Sequence, residues 1–204
     1  MRLIFVAMWM SVPSLSQDIV AEDVTFADVA ARLAAPAVLR GNFIQSRKIA
    51  LLEQPLQSSG SFVLSDKGLY WRQEKPLASV MIADGDRLLQ QVDDGPLQTI
   101  DVAKNPMVLT FSTSFLSIFN GSEAELRDNF AVEFTPGDGE WSVQLTPTVY
   151  PMSEAIETIN LRGREYIEEL TVTSRASEKT TIRFSDLQTE PDQLTDNEIE
   201  LYAQ

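Results

Sequence analysis

The stretch GSFVLSDKGLYWRQEKPLASVMIADGDRLLQQV, residues 60–92, carries the reading of the fold. Gly60-to-Leu64, Gly68-to-Arg72, Ser79-to-Ile82 and Leu88-to-Val92 are short period-two segments rich in β-branched and aromatic residues, the pattern of strands. Lys67-Gly68 and Asp84-Gly85 fall between them, and Asp94-Gly95 follows, each a turn signal. Gaps this short leave room only for hairpins, so the sheet is expected to be antiparallel.

Working outward, Leu39-to-Ile49 reads as a preceding strand. Before it, Thr25 can cap a short helix, with Asp28 in the capping-box position. Phe26, Val29, Ala30 and Leu33 form one apolar stripe, and Pro36 ends the helix. In the middle of the chain the period changes. Pro106 to Phe119 reads as a helix with Val108, Phe111, Phe115 and Ile118 or Phe119 on one face, Leu109 and Leu116 beside it, and Asn120-Gly121 as its stop. Ser122 and Glu125 form a second capping box, for a short helix reaching about Asn129. Strands resume at Phe130-Val132-Phe134 and Trp141-Val143-Leu145 around the Gly137-Asp138-Gly139 turn. Ala155-to-Leu161, Ile167-to-Ser174 and Thr180-to-Phe184 complete them. The tail from Leu194 reads as a loose turn or a helix.

The sum is one domain, mainly β with a few helices. About ten twisted, hairpin-linked strands must curl or close, leaving an inner face to be filled, covered or occupied by a ligand. The aromatic helix inserted mid-sheet is either a plug that fills this space or a lid that covers it.

Met1 to about Ser16 has the form of a secretory signal. Arg2 comes first, Leu3 to Met10 is apolar, and Ser14 and Ser16 are small residues before the cleavage point. That run is too short to span a bilayer. Residues 17–204 are then the mature domain. The 16 Lys and Arg stand against 30 Asp and Glu, a net charge of −14; loss of Arg2 leaves 15 against 30, or −15. Nucleic acid and lasting residence on anionic lipid are disfavoured partners for such a chain.

The sequence contains neither cysteine nor histidine. Thiolate, imidazole, disulfide and zinc-thiolate chemistry are therefore closed to it, and no metal site or cofactor is expected. A hydrolase built on paired carboxylates would have to use Asp84 and Asp86, Asp93 and Asp94, or Glu168 and Glu169. Two of these pairs flank turn glycines, where Asp serves the backbone. Glu168 and Glu169 are adjacent in a strand and should face opposite ways. No catalytic residue is assigned and no enzyme is expected.

An ordered set of short motifs runs through the first half of the chain: Phe43-Ile44-Gln45, Gly60-Ser61-Phe62, Tyr70-Trp71, Lys75-Pro76 and Ile82-Ala83-Asp84-Gly85. In this order the set resembles the outer-membrane lipoprotein carrier family (LolA/LolB-like), and most closely a divergent LolA-related branch. The resemblance implies a single open antiparallel β-barrel of about ten to eleven strands, with a helical lid over a hydrophobic cavity. It implies a monomeric periplasmic carrier or chaperone that binds the acyl chains of a lipoprotein or other lipid-like cargo. Such a carrier moves its cargo from an inner-membrane donor complex to an outer-membrane acceptor. Leu69 and Trp71 align with family positions on a concave strand near the cavity. Phe43, Phe62 and the lid residues Leu109, Phe111 and Phe115 are further candidates for its lining, and ordinary core packing is the alternative for each. A Leu69→Glu substitution is expected to abolish loading and spare the fold. Well-studied carriers have a lid-holding arginine just after the strand matching Gly60-to-Leu64; here that stretch is Ser65-Asp66-Lys67, with Lys67 its one cation. The alternative function is a non-carrier periplasmic scaffold or lipid-sensing module.

Overall fold

A computed structural model describes residues 25–33, 36–84, 87–100 and 123–202. Thr25 opens α1 (Phe26–Leu33) as the capping box predicts. Its N–H and Oγ1 donate to Asp28 Oδ2 at 2.9 and 2.6 Å, and Asp28 N–H returns a bond to Thr25 Oγ1 at 3.3 Å. These bonds hold the Asp28 carboxyl below its ordinary pKa. The stripe of Phe26, Val29, Ala30 and Leu33 is buried.

Eleven strands follow: β1 (Val38–Lys48), β2 (Leu56–Ser65), β3 (Gly68–Lys75), β4 (Ser79–Asp84), β5 (Arg87–Val92), β6 (Gln98–Thr99), β7 (Phe130–Pro136), β8 (Trp141–Pro147), β9 (Ile156–Gly163), β10 (Ile167–Ser174) and β11 (Lys179–Gln188). Three more helices are α2 (Glu123–Asn129), α3 (Met152–Ala155) and α4 (Asp196–Tyr202). The expected helix over 106–119, with Leu109, Phe111 and Phe115, lies outside the described residues.

All strands belong to one antiparallel sheet in the order β6-β5-β4-β3-β2-β1-β11-β10-β9-β8-β7. Two meanders, β1 to β6 and β7 to β11, are thus zipped together by the first and last strands. Phe43 stands opposite Phe184 and Gln45 opposite Ile182. The β2–β3 turn requires Gly68, whose φ is +112° and whose absent Cβ would lie 2.0 Å from Ala83 O.

The two faces have separate cores. Inward side chains from β1 to β5 and β7 to β11, among them Phe43, Phe62, Leu69, Leu88, Leu145, Leu161 and Ile182, join the α1 stripe in one apolar cluster. Eleven strands, each twisted against the next and sharing one apolar face, curl around that cluster. On the outer face, Tyr70, Ile82, Leu89 and Tyr202 form a smaller cluster where α4 packs. Strands β3 and β4 are consequently covered on both sides.

Candidate functional site

The inner wall is centred on a group of aromatic rings from adjacent strands. Register dictates the meeting: Phe43 faces Gly60 and Phe184 across its two ladders, and Phe62 faces Trp71. At Gly60 the β3 backbone comes so close that a Cβ would lie 1.9 Å from Arg72 O. The Trp71 ring stacks on Phe43 with centroids 3.7 Å apart and planes at 25°. Phe62 lies 6.1 Å from Trp71, and Phe184 meets Phe62 edge-on at 5.4 Å. Leu69, two residues before Trp71 on the same face, stands opposite Leu64 and Ala83.

The sequence-derived candidates Phe43, Phe62, Leu69 and Trp71 therefore share one wall. Phe184 belongs with them and was missed, although its alternation with Ile182 on β11 carried the signal. All four candidates are buried, with Leu69 at 0% exposure and Trp71 at 7%. This overturns one expectation. A carboxylate at position 69 would be enclosed in packed core, where its desolvation opposes folding, so Leu69→Glu tests stability and not loading.

An apolar hollow of about 130 Å³ lies where α1 ends against the start of β1 and the end of β2. Leu33, Pro36, Leu39 and Leu64 line it, with Ser65 and Asp66 at its lip. Lys67 N–H donates to Ser65 Oγ at 3.1 Å, while its side chain is exposed and makes no ion pair among the described residues.

The outer face over β1 has a polar clasp that the sequence did not suggest. Arg40 donates from Nε and Nη2 to the two oxygens of Glu198 at 2.6 and 2.8 Å. It also donates to the carbonyls of Pro191 and Gln193 at 2.8 and 2.9 Å. Glu198 doubles as the capping-box acid of α4, accepting from Thr195 N–H at 2.8 Å and Thr195 Oγ1 at 2.9 Å. The Arg40 guanidinium drives its pKa down to about 2 against the opposing effect of burial. At the far end of α4, Tyr202 donates to the carbonyls of Val63 and Gly68. Burial pushes that phenol up to about 12.

The carboxylate pairs are dispersed. Glu169 accepts from Arg183 at 3.0 Å, Asp84 is paired with Arg87, and Asp86 lies outside the described residues. No group of three or more potential metal-ligating side chains occurs among the described residues, and no helix among them is long and apolar enough to cross a membrane.

A curled sheet of eleven antiparallel strands around an apolar interior, with a helix packed against its inner face, defines an open single-chain β-barrel. Residues 19–186 match the family described as outer membrane lipoprotein carrier protein LolA-like. The chain belongs to that family. It is 30% identical over 144 residues to an outer-membrane lipoprotein carrier protein of Chromohalobacter salexigens, across 67% of this chain and 63% of that protein. The match thus spans less than two thirds of the relative's length. Among solved structures, a LolA superfamily protein from Nitrosomonas europaea is similar at a TM-score of 0.47 and 10% identity, over 84% of this chain and 94% of its own. A DUF1329 family protein from Desulfovibrio piger is similar at a TM-score of 0.47 and 11% identity, over 83% and 93%.

Proposed function

We propose that this chain is a periplasmic carrier, exported by way of its first 16 residues, that shelters the acyl chains of a lipoprotein or other acylated, lipid-like cargo and performs no catalysis. The observation that carries the reading is the aromatic inner wall of Phe43, Phe62, Trp71 and Phe184 in a barrel of the LolA-like family. Phe43, Phe62, Leu69 and Trp71 form the wall of the cargo site, and Leu109, Phe111 and Phe115 form the apolar face of its lid. Cargo would come from an inner-membrane donor complex and leave to an outer-membrane acceptor.

The energetics fit a shuttle. Each buried methylene contributes roughly 0.8 kcal/mol, so two or three acyl chains hold a molecule firmly in a bilayer. A carrier interior has to come close to that environment to receive them and stay slightly poorer than the acceptor to release them. Stacked rings and aliphatic side chains supply such a medium.

A second reading rests on burial. The four described wall residues are already packed against one another, as they would be in a scaffold or lipid sensor with a filled interior. The two readings separate in one experiment. The chain is expressed with periplasmic export, purified without harsh detergent, and examined by native mass spectrometry with lipid extraction. A discrete extra mass that resolves into an acylated molecule supports the carrier. A clean unliganded mass, with no uptake of an environment-sensitive hydrophobic dye, sinks it in favour of the scaffold.

A further inference from the structure

The end of the barrel opposite the β2–β3 turn has an unusual surface. The β1–β2 connection, residues 49–55, contains a turn closed by Leu52 N–H donating to Ile49 O at 3.0 Å. Turn corners are normally occupied by Gly, Asn, Asp or Pro for backbone reasons. Here they are Ala50 and Leu51, and Leu51 is 93% exposed. Leu52 and Leu56 on the same hairpin are exposed too, as is Leu77 on the neighbouring β3–β4 tip. Nothing in the turn geometry calls for these leucines, and clustered apolar tips mark an interaction surface.

The charges around them point to its partner. The chain has five lysines, and Lys48, Lys75 and Lys179 all lie at this end. Lys48 and Lys179 are directly opposite in the β1–β11 register, a like-charge pairing that by itself disfavours the sheet. None of the three is held in an ion pair among the described residues. Protein interfaces are depleted in lysine, and their hot spots in leucine. Protruding leucines ringed by lysines instead suit a fluid interface, with the apolar tips among acyl chains and the ammonium groups at phosphate level.

We propose that the β1–β2 and β3–β4 tips form a docking surface for a phospholipid bilayer bearing anionic headgroups. The rest of the molecule makes the contact oriented and brief. The net charge of −14 for the full chain opposes approach by the rest of the molecule, and Glu53 and Glu74 on the tips, with exposed Asp93 and Asp94 on the turn beside Leu77, temper the attraction.

The test is density flotation of the exported chain with vesicles of phosphatidylethanolamine, with and without phosphatidylglycerol. The parent should float with the phosphatidylglycerol vesicles at low salt and be released at high salt. The double variant L51E/L52E should lose about tenfold or more of that binding, and K48E/K179E should lose the dependence on phosphatidylglycerol. All these positions are exposed, and circular dichroism checks each fold. An L51W variant gives a second readout, a blue shift in emission on contact with the vesicles. Absence of flotation with either vesicle, L51E/L52E floating like the parent, or an L51W spectrum unmoved by vesicles would each overturn the proposal. Dye uptake by the same variants keeps the carrier reading separate, because charging the tips leaves the inner wall intact.

Discussion

Replacing Arg40 with alanine would remove four hydrogen bonds together, two to Glu198 and one each to the carbonyls of Pro191 and Gln193. Arg40 and Thr195 share the depression of Glu198 from 4.5 to about 2, so Arg40→Ala should cost only part of the corresponding ~3 kcal/mol, about 1–2 kcal/mol at neutral pH. The sign follows from the direction of the shift. A carboxyl whose folded pKa is depressed stabilises fully above its unfolded value, and that contribution fades as pH falls from about 4.5 toward 2. The difference in urea midpoint between parent and variant should therefore be large at pH 7 and much smaller near pH 3; an equal difference at both would refute the assignment. Loading is better probed at inner positions that are only partly buried. Met81→Glu and Val172→Glu should keep the circular dichroism spectrum of the parent while cutting uptake of a hydrophobic dye. The inner wall was legible from alternation, since Leu69 and Trp71 must share a face. Arg40 and Glu198, 158 positions apart, were not: their meeting depends on the route of the tail after β11.

Elements with a strong period or a cap match their sequence signals closely, and α1 shows why. Its stripe and its Thr25–Asp28 box agree, so local and tertiary preferences select the same eight residues. Loss of the cap in Thr25→Ala should cost about 1 kcal/mol in a urea titration. Strand β2 begins at Leu56, four residues before the segment read from the sequence, because Gln57-Ser58-Ser59 offers no apolar alternation and is recruited by its ladder to β1. The two-residue β6 and four-residue α3 are too short to leave any periodic trace. At the β2–β3 turn, Gly68→Ala should be more damaging than the lost cap. It combines a left-handed φ with a backbone oxygen 2.0 Å from the new carbon. Differential scanning calorimetry of the two variants side by side would rank them.

For the molecule as a whole, antiparallel connectivity and a single domain followed from turn spacing, but the pairing of first and last strands did not. Hairpin signals are local, and the β1–β11 ladder is a contact across most of the chain. Carrier behaviour has a global signature as well. Anything that binds only the folded state stabilises it, by about 3 kcal/mol at a hundredfold excess over Kd. Protein purified gently after export should therefore unfold at higher urea than the same protein after delipidation. Coincident midpoints would count against a bound cargo.

The strand order also carries a mechanical consequence. Every strand from β5 round to β8 is bonded on both sides, whereas β6 and β7 end the sheet, and the chain between Ile100 and Glu123 leads from one of these edges to the other. The wall is a split ring, cut once. A closed ring can widen only by breaking a ladder; a cut one widens by flexing, with all its rungs intact. Its bore can therefore adjust to the girth of what it holds at the cost of bending alone.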